Sequence, residues 1–174
     1  DPQGLAGAPV NVSQAINIHD LRRLAERHAP RAVFDFIAGG AEDEIGLRTN
    51  EEALRSVRFI PRYGIDTHQR SLTTRLFGID WAAPFGISPT GLNGLYRPGA
   101  DLYLAQAARE ADIPFTMSNA SNASVEEAVA NGTRNTFFQL YGMRDRSLVQ
   151  DTVRRVADLG VSTLVLTIDT PVQP

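Results

Sequence analysis

Pro84-Phe85-Gly86-Ile87-Ser88, Pro114-Phe115-Thr116-Met117, Thr136-Phe137-Phe138-Gln139-Leu140 and Ser162-Thr163-Leu164-Val165-Leu166-Thr167-Ile168 are four short apolar runs with helical patterns between them. Runs of this length without polar alternation suit strands buried on both faces, as in parallel sheets. The intervening stretches carry the helical period. Asp101 to Ala111 places Leu102, Leu104, Ala105 and Ala108 together. Ser124-Val125-Glu126-Glu127 has the spacing of a capping box, and Gly132 ends the helix it opens. Asp145 to Leu159 sets Val149, Val153 and Val156 on one side. Strands each followed by a helix give right-handed βα units and a parallel sheet. The fold class is therefore α/β. Four such strands leave two open edges, which fits either a small open α/β fold or the first half of a (β/α)8 barrel.

Upstream the texture differs. Residues 1–16 are rich in Gly, Ala and Pro and read as a mobile leader. Residues 17–83 form a second segment of helices and a small β-hairpin, and residues 84–174 carry the strands. Asn17 is the expected N-cap of a helix running to His28, with Asp20 in its first turn. Pro30 separates it from a helix at Arg31 to Ala38, stopped by Gly39-Gly40, and a third spans Glu42 to Val57. Arg58 to Arg62 and Thr73 to Phe77 read as extended pieces, with Gly78 turning the chain before Trp81. The hairpin is expected to lid one end of a barrel.

Composition removes whole classes of chemistry. The 174 residues contain no cysteine, which excludes disulfides, thiolate metal sites and thiol catalysis, and no metal site is expected. All 17 basic residues are arginine, so Schiff-base chemistry and a P-loop lysine are absent from these residues. A net charge of −3 gives no bulk attraction to nucleic acid. The apolar runs fall short of the ~20 residues of a membrane span, and a cytoplasmic location is the default expectation. His19, His28 and His68, the three histidines, all lie upstream of the strands, and the Arg22-Arg23 and Arg154-Arg155 pairs read as solvated helix faces.

Function in such folds sits at the C-terminal ends of the strands. Those ends read Ser88-Pro89-Thr90-Gly91, Ser118-Asn119-Ala120, Gln139-Leu140-Tyr141 and Thr167-Ile168-Asp169-Thr170. They are polar and mostly neutral, with Asp169 the one strong acid–base group. Hydroxyls and amides converging on one rim suit a planar heteroaromatic ligand with alternating donors and acceptors, such as a flavin. No G-x-G-x-x-G follows a strand, which argues against a Rossmann dinucleotide site. Pro89-Thr90-Gly91-Leu92-Asn93-Gly94 is either a plain βα turn or a loop whose glycines let backbone approach a ligand.

Several stretches in register resemble one family. Val33-Phe34-Asp35-Phe36-Ile37-Ala38-Gly39-Gly40-Ala41-Glu42-Asp43-Glu44, Ser88 to Gly91, Phe138-Gln139-Leu140-Tyr141 and Leu166-Thr167-Ile168-Asp169-Thr170-Pro171 are similar to the FMN-dependent L-2-hydroxy acid oxidases and dehydrogenases. The 89–94 loop and Ser118 to Ser121 resemble the mandelate dehydrogenase-like branch. The resemblance implies FMN as cofactor and a (β/α)8 barrel of which this chain is the N-terminal half. It implies that Pro89, Thr90 and Gly91 lie against the flavin, and that Ser118, Gln139 and Thr167 bond its pyrimidine edge. It gives Tyr141 the substrate carboxylate and developing charge, and Asp169 a supporting acid's role. The implied partners are the C-terminal half of the barrel, with its catalytic histidine, arginines, lysine and phosphate loops, a small 2-hydroxy acid, and an electron acceptor such as O2 or a quinone. A homo-tetramer or larger assembly and peripheral attachment to the inner membrane are also implied. This chain alone is expected to be inactive. One position departs: Phe36 stands where the family usually has tyrosine, keeping the ring and losing a donor to the substrate carboxylate. Two other readings remain, a non-catalytic half-barrel scaffold and a small open α/β phosphate-binding domain.

Overall fold

The computed structural model describes residues 12–133 and 136–169. Two compact units divide between Asp66 and Thr67. The segment expected to run over 17–83 is thus split, and the hairpin belongs with the strands. Of the 1–16 leader, residues 1–11 lie outside the described residues, and Val12–Gln14 is a 3-10 turn.

The first unit holds α1 (Ile18–His28), α2 (Arg31–Ala38) and α3 (Ile45–Ser56). The Asn17 side chain accepts from the Asp20 amide at 3.0 Å, the cap its sequence position predicts. The helix expected from Glu42 begins only at Ile45. Glu42 and Glu44 adopt left-handed φ of 49° and 58°, so these acids form the turn before α3 instead of its first turn. Arg58 to Arg62, expected as extended strand, is irregular.

In the second unit β1 (Thr74–Leu76) and β2 (Ile79–Trp81) form the expected antiparallel hairpin. A parallel sheet follows, β3 (Thr116–Ser118), β4 (Phe137–Tyr141) and β5 (Leu164–Thr167), in the order β3-β4-β5. Helices α4 (Ala100–Glu110), α5 (Val125–Asn131) and α6 (Arg146–Asp158) alternate with them. The first expected strand, Pro84 to Ser88, shortens to a single parallel bridge between Ile87 and Phe115. Its composition explains this. Pro84, Pro89 and Pro114 have no N–H for a ladder, leaving Ile87 to donate to Pro114 O at 2.8 Å and accept from Thr116 N at 3.0 Å. Gly86 permits that approach, since a Cβ there would meet Pro114 O at 2.7 Å. Gly86→Ala is expected to lower stability by about 1–3 kcal/mol, the cost of overpacking against backbone, read as a fall in the thermal unfolding midpoint.

Alternation sorts each strand's side chains. Phe115, Met117, Phe138 and Leu140 join Ala105, Ala108, Val125, Ala128 and Val156 in the core between sheet and helices. Thr116, Ser118, Phe137, Gln139 and Tyr141 therefore face the other way, toward a barrel interior. Phe77 and Trp81 of the hairpin pack edge-on against Phe137, with centroids 5.7 and 6.3 Å away. Phe137 begins β4, so the hairpin covers the N-terminal end of the strands, opposite their polar ends. A cavity of about 350 Å³ runs along the interior face from Leu76 and Trp81 to Ser88 and Pro89.

The capping box at α5 is complete. Glu127 N donates to Ser124 Oγ at 3.2 Å, while Ser124 N and Oγ donate to Glu127 Oε2 at 3.1 and 2.7 Å. The Ser124 hydroxyl, then its amide, holds the Glu127 carboxyl below its ordinary value. A depressed folded-state pKa contributes stability above the unfolded value and loses it as pH falls through the folded one. Ser124→Ala is expected to lower the unfolding midpoint at neutral pH and to flatten its decline below about pH 4.3, the ordinary glutamate value. Parallel melts of wild type and variant from neutral to acid pH measure this.

Candidate functional site

Three residues of the polar rim predicted at the strand ends, Ser118, Gln139 and Thr167, form one hydrogen-bonded row. Ser118 ends β3, Gln139 lies within β4 and Thr167 ends β5. Parallel pairing sets Ser118 opposite Gln139. Ser118 and Gln139 are only 3% and 2% exposed. Gln139 Oε1 accepts from Ser118 Oγ at 3.0 Å and from the Asn119 amide at 3.1 Å. Gln139 Nε2 donates to Thr167 Oγ1 at 2.8 Å. Ser118 Oγ also accepts from Ala120 N at 3.1 Å. Each group is thus oriented by another, and the carboxamide is held at both its oxygen and its nitrogen. Among the described residues, one amide hydrogen of Gln139 and the Thr167 hydroxyl hydrogen have no partner.

That donor set fits a flavin's pyrimidine edge, which offers carbonyl and ring-nitrogen acceptors beside one N–H. It is neutral, fixed and largely dry, as recognition of a planar polar edge requires. Tyr141 closes β4 on the same face as Gln139, half-buried and paired in register with Thr167. Asp169 lies two residues past β5 and is exposed. Phe36 sits on α2 of the first unit, 68% exposed.

The loop after the first strand approaches the same rim. Pro89 and Gly91 are half-buried and Thr90 is exposed. Leu92 N donates to Ala120 O at 3.0 Å, drawing this loop onto the 118–122 loop. A Cβ on Gly91 would meet Ala120 Cβ at 3.0 Å and Ser118 Oγ at 3.8 Å. Close backbone approach at Gly91 is therefore real, but its neighbour is the adjoining loop.

Sequence reasoning missed a second polar cluster behind these loops. Asp101, in the first turn of α4 and 2% exposed, accepts from Asn93 Nδ2 at 2.8 Å, Ser121 Oγ at 3.1 Å and Asn122 N at 3.2 Å. Asn93 Nδ2 also donates to Thr90 O at 2.9 Å, and Gly94 N donates to Asn122 Oδ1 at 2.9 Å. The available signal was an acid at a helix start after an Asn-Gly loop, which alone reads as an ordinary first-turn carboxylate.

The fold and rim define a class, a partial (β/α)8 barrel with a flavin-compatible edge at its strand ends. Known proteins narrow it. A family model described as FMN-dependent dehydrogenase matches residues 25–174, and the chain belongs to that family. (S)-mandelate dehydrogenase of Pseudomonas putida is 40% identical over 156 residues, covering 90% of this chain and 39% of that protein. Glycolate oxidase 1 of Zea mays is 34% identical over 160 residues, covering 92% of the chain and 43% of that protein. The crystal structure of the monotopic membrane protein (S)-mandelate dehydrogenase superposes with a TM-score of 0.86 at 40% identity, covering 91% of this chain and 42% of that one. The chain thus spans about two fifths of the length of these relatives. Among the described residues no helix is long and apolar enough to cross a membrane.

Proposed function

We propose that this chain forms the N-terminal half of an FMN-dependent dehydrogenase or oxidase that converts an L-2-hydroxy acid, mandelate- or lactate-like, to the 2-oxo acid. The observation that carries the reading is the buried Ser118–Gln139–Thr167 row, with Gln139 hydrogen-bonded on both sides. FMN bound there supplies the acceptor for the two electrons leaving the substrate. Ser118, Gln139 and Thr167 hold its pyrimidine edge, and the backbone of Pro89, Thr90 and Gly91 carries one face of the ring. Tyr141 offers its phenol to the substrate carboxylate and to charge developing on the substrate oxygen, and Asp169 supports that end of the site. The C-terminal half supplies the base, the substrate arginines and the phosphate loops. An O2 or quinone acceptor takes the electrons onward, and the assembly is a homo-tetramer or larger. Peripheral membrane attachment follows the monotopic relative.

The test is spectroscopic. The protein comprising both halves is expected to show visible flavin bands that bleach when an L-2-hydroxy acid is added anaerobically and return with an acceptor. A folded two-half protein that takes up no flavin overturns the reading. The same preparation tests Phe36. Phe36→Tyr restores a hydroxyl for the carboxylate, and a bond to a charged group is worth roughly 1.5–3 kcal/mol. KM for the hydroxy acid is expected to fall at least about tenfold, since ~1.4 kcal/mol is a factor of ten. An unchanged KM removes Phe36 from the substrate site.

A further inference from the structure

The Asp101 cluster lies outside the rim proposed to bind FMN, yet both loops it ties together end at that rim. Its carboxylate is buried and receives three hydrogen bonds, one from Asn93 on the first loop and two from Ser121 and Asn122 on the second. Asn93 passes the restraint to the Thr90 carbonyl through its other amide hydrogen. On the second loop, Ala120 N bonds Ser118 Oγ, which in turn bonds Gln139. One path runs by hydrogen bonds from this carboxylate through Asn93 to the Thr90 carbonyl; the other reaches Ser121 and Asn122 by hydrogen bonds, follows the backbone back to Ala120, and continues by hydrogen bonds through Ser118 Oγ to Gln139. The first turn of α4 places its partial positive charge beside this anion, so the carboxylate is an anchored hub.

We infer that Asp101 is a positioning residue for the flavin, setting the spacing between the 89–94 and 118–122 loops through Asn93, Ser121 and Asn122. The inference rests on the FMN reading above. A carboxylate suits the task better than an amide of the same shape. Asn would turn an N–H2 group toward either the Asn122 amide or the Asn93 Nδ2, setting donor against donor.

The experiment uses the two-half holoprotein. Asp101→Asn, Asn93→Ser and their double variant are compared with wild type and with Glu110→Gln, an exposed acid on the same helix. FMN dissociation constants come from fluorescence titration, flavin midpoint potentials from dye equilibration, and unfolding midpoints are recorded in parallel. Asp101→Asn is expected to raise the FMN dissociation constant at least tenfold and to shift the potential. Asn93→Ser should act in the same direction, and the double variant should exceed the larger single by less than twofold, because both act through one chain. Glu110→Gln should match wild type. Should Asp101→Asn fail to fold, Ser121→Ala, which deletes one bond to the same carboxylate, is expected to give a three- to fivefold rise. A lowered unfolding midpoint with unchanged FMN affinity and potential would mean a purely structural role and overturn the inference alone. Multiplying effects in the double variant would do the same. Wild type that binds no FMN would overturn the functional reading and this inference together.

Discussion

Gln139→Leu is expected to strip flavin from the protein. Leucine fills a similar volume but removes the acceptor that Ser118 Oγ and Asn119 N share and the donor that Thr167 receives. Ser118 is 3% exposed, so water cannot replace that partner. An orphaned buried donor costs about 1–3 kcal/mol, and the flavin edge would lose its own bond as well. An FMN dissociation constant raised ten- to a hundredfold corresponds to about 1.4–2.7 kcal/mol. Gel filtration followed by the ratio of visible to ultraviolet absorbance measures retention. Gln139→Glu is the informative companion, because it keeps both acceptor contacts but replaces the donor with an acceptor and brings a carboxylate to a site only 2% exposed. Its retention should fall at least as far as that of Gln139→Leu. Flavin content and potential equal to wild type in both variants would remove Gln139 from the cofactor site.

The second large effect concerns closure of the sheet. Leu164 and Leu166 pair in register with Phe138 and Leu140 and continue the helix-facing row, yet they are 43% and 60% exposed. Val165, on the interior face, is 38% exposed, and Ile168 just beyond is 84% exposed. Apolar surface left in water forgoes about 25 cal/mol per Å², and an uncovered edge strand templates association. The 174-residue chain alone is therefore expected to bind hydrophobic dyes, to associate as its concentration rises, and to unfold over a broad range. Mixed with the C-terminal half, it should form one complex with a single sharp transition. Size exclusion with light scattering, together with calorimetry, decides this. A monomer of the lone chain with sharp unfolding, unchanged by the second half, would refute the half-barrel and restore the small open α/β alternative.

Much of the fold was legible because its signals are local. Pro30 and Gly39 bracket α2 at the predicted residues, Asn17 caps α1, and the Ser124–Glu127 box opens α5. The alternation of apolar runs and helices predicted the parallel sheet. The Ser118, Gln139 and Thr167 set came from family resemblance, and the register of the sheet brought it together.

What the chain's own residues determined is thus whatever periodicity, caps and punctuation encode within about a helical turn or a strand's length. The tertiary structure decided the rest. It set Ile87 against Phe115, the register in which Pro89 and Pro114 leave the first strand a single bridge for want of N–H donors. It set the hairpin over the N-terminal end of the strands, through Phe77 and Trp81 meeting Phe137. It gave Gly91 a neighbour in Ala120, and it made Asp101 a hub whose partners lie 8, 20 and 21 residues away. A carboxylate at a helix start looks the same in sequence whether it faces water or two loops, because only the packed chain sets its distant neighbours and excludes the water that would otherwise satisfy it.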